Sequence, residues 1–337
     1  MDKLNNLNIL RLIFASTVII SHSFPLTNND EIFQTITKRQ IDLGGLSVEI
    51  FFIISGYLIY KSLNFSKSIL SYIWKRLLRI FPAVIVMLIF TMLILIIISN
   101  STTILLQKDY YTYFFNNLSL YRVQFYIKGI FENNPYPKSI NGSIWTLSYE
   151  FSMYLFLIPL HGIKNKKYSL ALILLFFILF SFLHVYKPLL FNNLFNYINL
   201  NSEQFYRLSK FFLAGSLLTF VDLDKIKSNR NIIILILFLL LSLYFNIYTY
   251  TSILILPFLV LIIGFSYNKT LWNFTEKIGD LSYGIYIYGF LVQQTLMNYF
   301  ELNPLELMIY ALIISSIFAY MSWHLIEEKA MKYKNLI

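Results

Sequence analysis

Long apolar stretches separated by short polar segments run through almost the whole chain of 337 residues. Four of them, at 83–99, 170–182, 232–244 and 253–265, are nearly continuous runs. A helix that crosses the hydrocarbon core of a bilayer needs about 20 predominantly apolar residues, and it satisfies its backbone polar groups internally. The pattern therefore predicts an all-α, polytopic membrane protein.

About ten such spans can be placed along the chain. They lie at 7–24, 46–61, 80–99, 144–160, 168–186, 209–221, 232–248, 252–267, 279–298 and 305–325. Most of the 27 basic residues then fall on the segments that share a side with the amino terminus. Because cytoplasmic loops carry an excess of Lys and Arg, this arrangement predicts that both termini are cytoplasmic and that the protein is a multi-pass protein of the cytoplasmic (inner) membrane.

No repeat and no soluble segment interrupts the series of spans, so we predict a single integral-membrane domain over 1–337 with no appended soluble domain. The polar segment at 100–143 is predicted to hold short interfacial helices. Glycines inside the apolar runs, at 215, 264 and 284, predict close helix packing.

Composition narrows the classes of function. Hydrophobic residues make up 57% of the chain and charged residues 13%, and the net charge of +10 follows membrane topology rather than a nucleic-acid surface. The chain has no cysteine, which excludes thiol catalysis and disulfides. Its four histidines lack metal-ligand spacing, so no metal site is predicted.

Two ionisable residues, Arg11 and His22, lie within the first apolar stretch. Eleven residues amount to about three helical turns, so both side chains are expected on one face, roughly 16 Å apart along the axis. The stripe between them holds Ala15 and Val18, which are small enough to leave a slot. Because ionisable groups at such depth are costly in lipid, this pair is a candidate functional site.

Glu150 follows the start of the fourth predicted span and is expected at a depth similar to that of His22. A carboxylate beside an imidazole stabilises its charged form, which suits general-base work on a hydroxyl group. The alternative is a buried polar pair that only ties two helices together.

Arg76 and Arg79 lie three residues apart where the third predicted span begins. On a helix they would share a face, and two guanidinium groups suit phosphate oxygens. A basic anchor that extends to lipid headgroups explains the spacing equally well.

These residues belong to an ordered set of motifs that resembles the acyltransferase 3 family of integral-membrane O-acyltransferases. The set covers nearly the whole chain and comprises Asn8-x-x-Arg11 followed by His22, then Gly45–Ile59, Arg76–Pro82, Ser143–Glu150, Gly279–Tyr286 and Ser322–Glu327. Two positions depart from the family pattern: Ser47 stands where the family often has Gly, and Gly289 where many members have His.

The resemblance implies transfer of an acyl group, commonly acetyl from acetyl-CoA, to a hydroxyl group of a cell-envelope carbohydrate such as O-antigen or capsule. By position, His22 is then the catalytic residue and Glu150 its acidic partner. Arg11, Arg76 and Arg79 would bind the acyl-CoA donor, and no cofactor would be bound permanently.

Glu49, Ser143 and Trp145 could line an acceptor cleft for a glycan or lipid-linked saccharide. Direct transfer and an acyl-histidine intermediate both fit the residues. The family's esterase-like extra domain is absent from the sequence, so the membrane domain either completes the reaction or passes the acyl group to a separate transferase partner.

The main alternative function is a transporter or flippase of lipid-linked saccharides, and a third is a non-catalytic membrane scaffold. Against transport, the sequence has no inverted repeat and few acidic residues within its spans for ion coupling.

Overall fold

A computed structural model of the protein describes residues 5–99 and 102–337. Its regular elements are helices, and these two ranges contain no strand. The α-helices in chain order are α1 Leu7–Ser23, α2 Ile32–Ile36, α3 Leu43–Phe65, α4 Ile69–Ile98, α5 Lys108–Leu118, α6 Thr146–Phe156, α7 Lys166–Tyr186, α8 Asn192–Tyr197, α9 Ser202–Leu217, α10 Leu223–Ile226, α11 Asn229–Tyr244, α12 Tyr248–Phe265, α13 Lys269–Ile278, α14 Ser282–Tyr299, α15 Pro304–Ser322 and α16 Glu328–Met331.

Six helical segments of the described ranges are long and apolar enough to cross a membrane. They contain α1, α3, α4, α7, α12 and α15, and each corresponds to a predicted span. The other four predicted spans correspond to α6, α9, α11 and α14, of which the first three have 11, 16 and 16 residues. The all-helical membrane fold is confirmed, and the number of ten stays a prediction.

Several predicted boundaries were wrong, among them the start of α9, which is Ser202 instead of 209. Helix α4 begins at Ile69 and runs for 30 residues, so it includes Arg76, Arg79 and Pro82 instead of starting after the arginines. Helix α6 ends at Phe156, and a 3-10 turn at Ile158–Gly162 replaces the end of the predicted span 144–160. Pro159 lies in that turn and cannot donate a helical hydrogen bond, which explains the early end.

The described residues form two compact units. Unit 1 comprises the residues up to Phe14, Phe33–Tyr72 and Tyr149–Lys277, and unit 2 comprises Ala15–Ile32, Ile73–Ser148 and Ile278–Ile337. The prediction of a single domain remains a prediction.

Unit 1 is built around a close crossing of α3 and α9. A Cβ atom on Gly56 would lie 1.8 Å from the carbonyl oxygen of Phe212, and one on Gly215 would lie 2.0 Å from that of Ile53. The hydroxyl of Ser216 donates to the carbonyl oxygen of Gly56 at 3.0 Å. Small residues let two backbones approach in this way, so the packing role predicted for Gly215 is confirmed.

Unit 2 has close approaches on two sides of α14. A Cβ atom on Gly284 would lie 2.7 Å from Cα of Ala319 on α15, and one on Gly289 would lie 2.7 Å from Cγ1 of Ile19 on α1. A larger side chain at position 289 would therefore collide with the side chain of Ile19. This packing leaves no room for the histidine that is expected at this position in many family members.

Candidate active site

His22 lies in the last turn of α1, within unit 2, and is partly buried. Its ring meets the ring of Phe290 on α14 edge to face, with centroids 5.2 Å apart. The side-chain amide of Gln293 donates to the carbonyl oxygen of Ile19 and to the hydroxyl of Ser23, both at 2.8 Å. The turn that carries His22 is therefore fixed against α14 by a fully buried amide.

A buried carboxylate also borders this turn. The hydroxyl of Ser21 donates to Oε2 of Glu31 at 2.7 Å, and Glu31 is only 5% exposed. Sequence reasoning missed both Glu31 and Gln293. An amide within the apolar span 279–298 was the available signal for Gln293, whereas Glu31 lies in a polar loop where a carboxylate is unremarkable.

Glu150 lies in the second turn of α6, within unit 1. Its Oε1 accepts hydrogen bonds from the hydroxyl of Ser55 on α3, at 2.7 Å, and from that of Tyr154 one turn later, at 2.5 Å. These two donors fix the orientation of the carboxylate. Because Glu150 belongs to unit 1 and His22 to unit 2, their pairing stays a prediction.

Arg11 lies on the part of α1 that belongs to unit 1. One turn earlier, the side-chain amide of Asn6 donates to the carbonyl oxygen of Ser266 at 2.9 Å, which ties the start of α1 to the end of α12. In unit 2, Ala15 and Val18 are 0% and 3% exposed, so this part of the predicted stripe faces protein.

Arg79 is held by acidic groups of unit 2. Its Nη2 lies 2.6 Å from Oδ2 of Asp280, and its Nη1 lies 3.8 Å from Oε2 of Glu327. The rings of Tyr283 and Trp323 lie 5.6 and 5.8 Å from its guanidinium carbon. Phosphate groups of a donor would share Arg79 with these carboxylates, and the role of Arg79 in donor binding stays a prediction.

Two local features of the backbone produce this arrangement. Gly279 has a φ of +85°, and a Cβ there would lie 2.2 Å from Nε1 of Trp323, so only glycine fits. Trp323–Glu327 forms a π-helical turn, in which the hydroxyl of Ser322 donates to Oε1 of Glu327 at 2.9 Å. Such turns are frequent at functional sites. Because α4 is helical through this region, Arg76 lies on the same face as Arg79, as predicted.

The three predicted acceptor-cleft residues fall in different units. Ser143 and Trp145 belong to unit 2, in the loop before α6. The hydroxyl of Tyr286 donates to the carbonyl oxygen of Ser143 at 2.7 Å and, since that uses its proton, accepts from Thr146 at 2.6 Å. Glu49 belongs to unit 1, and a shared cleft stays a prediction.

Glu49 is only 8% exposed, and its Oε2 accepts from the hydroxyl of Tyr248 at 3.4 Å. It also interacts electrostatically with Arg207 and Lys210 on α9. Sequence reasoning missed these two cations. Lys210 lies at the start of the predicted span 209–221, and an ionisable residue within an apolar span was the reason for selecting Arg11.

The loop between α5 and α6 belongs to unit 2 and is pinned to α14. Asn134 donates to the side-chain oxygen of Gln294 at 2.7 Å, and Asn141 donates to the carbonyl oxygen of Ile287 at 2.8 Å. On its exposed side, the hydrogen bond from Tyr126 lowers the pKa of Glu132. Helix α5, which precedes this loop, is a short helix within the segment 100–143, where short interfacial helices were predicted.

Nowhere in the described ranges do three or more His, Asp or Glu residues form a group suited to a metal ion.

Comparisons with known proteins identify the family. The model of the acyltransferase 3 family, described as an acyltransferase domain, matches residues 4–324. The chain belongs to this family. It is therefore an O-acyltransferase, and its apolar helices make it a membrane protein.

Two relatives cover almost the whole chain. It is 27% identical over 351 residues to a protein of Shigella phage Sf6 named O-acetyl transferase. This alignment covers 98% of this chain and 96% of the relative. It is 29% identical over 349 residues to nodulation protein 10 of Rhizobium leguminosarum bv. viciae. This second alignment covers 98% of this chain and 94% of the relative. No solved structure matches this O-acyltransferase.

Proposed function

We propose that this O-acyltransferase moves an acetyl group from acetyl-CoA to a hydroxyl group of a cell-envelope carbohydrate, such as an O-antigen or capsule intermediate. It acts as a multi-pass protein of the cytoplasmic membrane, with both termini in the cytoplasm. The observation that carries this proposal is the likeness, from end to end, to a relative named O-acetyl transferase.

His22 is the proposed general base. As the acceptor oxygen attacks the thioester carbonyl carbon, its proton passes to the imidazole, and the collapse of the tetrahedral intermediate breaks the carbon–sulfur bond. The proton then passes to the departing thiolate, which leaves as CoA, and the acetyl ester is the other product. Gln293 and Phe290 support this role because they hold the turn that carries His22.

Glu150 is the proposed acidic partner of the imidazole, and its fixed orientation on Ser55 and Tyr154 suits such a role. Arg11, Arg76 and Arg79 are the proposed ligands of the donor phosphates, because guanidinium groups bind phosphate oxygens in pairs. The acceptor is proposed to meet Glu49, Ser143 and Trp145.

The reaction can be tested with the full-length protein in lipid nanodiscs. Acetyl-CoA labelled in the acetyl group is supplied with lipid-linked and free envelope glycans, and alkali-labile label on the glycan is measured. Propionyl-CoA and palmitoyl-CoA are tested in parallel. We expect label transfer from acetyl-CoA at the highest rate. Preference for a longer acyl group, or transfer to a non-carbohydrate acceptor alone, would show that the proposed substrates are wrong.

Replacement of the base tests the mechanism. His22→Ala should lower the rate about 10²–10⁴-fold, the usual contribution of a general base. His161→Gln is the matched control, since the His161 ring hydrogen-bonds to the carbonyl oxygen of Ser66 at 3.1 Å and the amide can keep this contact. A His22→Ala enzyme with at least half of the normal rate would contradict the mechanism. Label recovered on His22 itself would favour the acyl-histidine route.

A further inference from the structure

A group of charged and polar side chains, of which three are buried, lies in unit 1 on α9 and on the three helices that pack against it. It consists of Glu49 on α3, His184 on α7, Arg207 and Lys210 on α9, and Tyr248 on α12. Helix α7 ends two residues after His184, and α12 begins at Tyr248. Because α7 and α12 are candidate membrane spans, we expect the end of α7 and the start of α12, and with them this Arg207–Lys210 cluster, near the depth where lipid headgroups meet hydrocarbon.

The cations of the cluster have few partners. Lys210 is 3% exposed, and its Nζ donates to Nδ1 of His184 at 3.1 Å, a neutral acceptor. The Nε of Arg207 is buried and has no hydrogen-bond partner in the described part of the chain. Both cations interact electrostatically with Glu49, yet across residues 5–99 and 102–337 neither has a carboxylate within the 4 Å of an ion pair.

A charge in this position is costly. A buried cation that lacks a close counter-ion loses hydration without full compensation. Two cations here face one buried carboxylate, whose Oε2 is also bonded to Tyr248. Asp42, which interacts electrostatically with Glu49, caps α3 by accepting from the backbone N–H of Gly45. Glu203, one turn before Arg207, is exposed. Oxygen atoms that carry negative charge would supply the missing partners.

The arrangement also indicates what kind of ligand would bring them. Arg207 and Lys210 are three residues apart and share a face of α9, with partly exposed Arg207 in front of buried Lys210. A forked guanidinium beside a compact ammonium suits the oxygens of a phosphate. The neighbouring helix α7 turns His184 towards Lys210 and exposes apolar side chains on its opposite face, among them Leu175, Ile178 and Phe182. The cations are therefore bordered by a helix whose outer face suits contact with lipid chains.

We propose that Arg207 and Lys210 form a binding site for the phosphate group of a membrane lipid. The phosphate contacts the guanidinium of Arg207 and the ammonium of Lys210, and the lipid chains extend into the surrounding bilayer. His184 and Tyr248 hold Lys210 and Glu49 in place.

Native mass spectrometry of the delipidated full-length protein tests the site. The probes are dioleoyl phosphatidylglycerol, undecaprenyl phosphate and dioleoylglycerol, the last of which lacks phosphate. We expect both phosphate lipids to bind and to lose about tenfold in affinity in the double variant Arg207→Gln/Lys210→Met. Lys187→Gln is the matched control, because Lys187 is an exposed cation at the same end of α7 and its removal should change affinity less than twofold.

A second variant keeps the test independent of misfolding. Glu49→Gln removes the carboxylate that competes for the two cations, so the affinity for phosphate lipids should rise about threefold or more. A misfolded protein cannot produce this gain. Equal binding of phosphate lipids by wild type and the double variant, or equal binding of dioleoylglycerol, would overturn the proposal.

Competition identifies the source of the phosphate. Displacement of phosphatidylglycerol by undecaprenyl phosphate at lower concentration assigns the site to a polyprenyl carrier lipid, and failure of this displacement assigns it to a phospholipid headgroup. Either outcome supports a lipid-phosphate site. Inorganic phosphate that displaces both lipids at millimolar concentration would instead show a site for free phosphate and would contradict the proposal.

Discussion

Two buried charge clusters of this protein use the same kinds of residue in different ways. In unit 2, the guanidinium of Arg79 lies within 4 Å of two carboxylates, those of Asp280 and Glu327. In unit 1, Arg207 and Lys210 share one carboxylate, Glu49, without a close ion pair in the described part of the chain. The first cluster supplies its own counter-ions, and the second has an excess of positive charge.

The difference concerns what each cluster contributes to stability. Two carboxylates balance the charge of Arg79, and its ion pairs connect α4 to the start of α14 and to the π-helical turn after α15, so donor phosphates would share the guanidinium with them. An excess of buried cations is stable only when another negative group completes it. The comparison predicts opposite responses to the removal of charge in the two units.

The largest expected effect is that of Arg79→Met. This change removes a cation that lies within 4 Å of the carboxylates of Asp280 and Glu327, so the free energy of unfolding should fall by about 3–5 kcal/mol. Titration with SDS in mixed micelles measures this quantity. Lys227→Met is the control, because Lys227 also pairs with an aspartate at 2.6 Å but both side chains are 39% exposed, and it should cost less than about 1 kcal/mol.

A partner substitution tests the reason for this loss. If the loss of the ion pair between Arg79 and Asp280 causes it, Asp280→Asn added to Arg79→Met should restore about 1–3 kcal/mol. A double variant that is less stable than Arg79→Met alone would contradict the assignment of the ion pair as the source of the stability.

A smaller effect is expected for Ser55→Ala, which tests a charge held by neutral donors. The hydroxyl of Ser55 is one of two that donate to Oε1 of Glu150, and its loss should cost about 1 kcal/mol. Ser181→Ala removes a hydroxyl that bonds only to its own helix, at the carbonyl oxygen of Phe177, and serves as the control with a change near zero. Equal losses in the two variants would show that Ser55 does not stabilise the carboxylate.

The smallest effect on stability is expected for Lys210→Met. Its cation lacks a close carboxylate, and an apolar side chain of similar length removes the cost of its burial, so the free energy of unfolding should stay the same or rise by up to about 1 kcal/mol. The same SDS titration applies. A loss as large as that of Arg79→Met would show that Lys210 is a structural ion-pair partner, and the contrast between the two clusters would then fail.

Some of the fold and of the site could be predicted from local pattern. Helix α1 at Leu7–Ser23 matches the predicted span 7–24, because an apolar run of this length specifies a helix by itself. The start of α4 was missed because a cluster of charges is typical of a loop between spans. In the structure these basic residues, Lys75, Arg76 and Arg79, are part of the helix. Asp280 and Glu327 lie within the motifs Gly279–Tyr286 and Ser322–Glu327, but their approach to Arg79 depends on contacts between distant helices.

The amino-acid sequence by itself determined the membrane class, most of the long helices and the acyltransferase family, because hydropathy and ordered motifs are local properties of the chain. Only the tertiary structure decided which charges meet: Glu31 with the turn of His22, Asp280 with Arg79, and Glu49 with the cations of α9. The physical reason is that helix packing sets the partners of a buried charge, and packing depends on close approaches such as those at Gly56, Gly215 and Gly289.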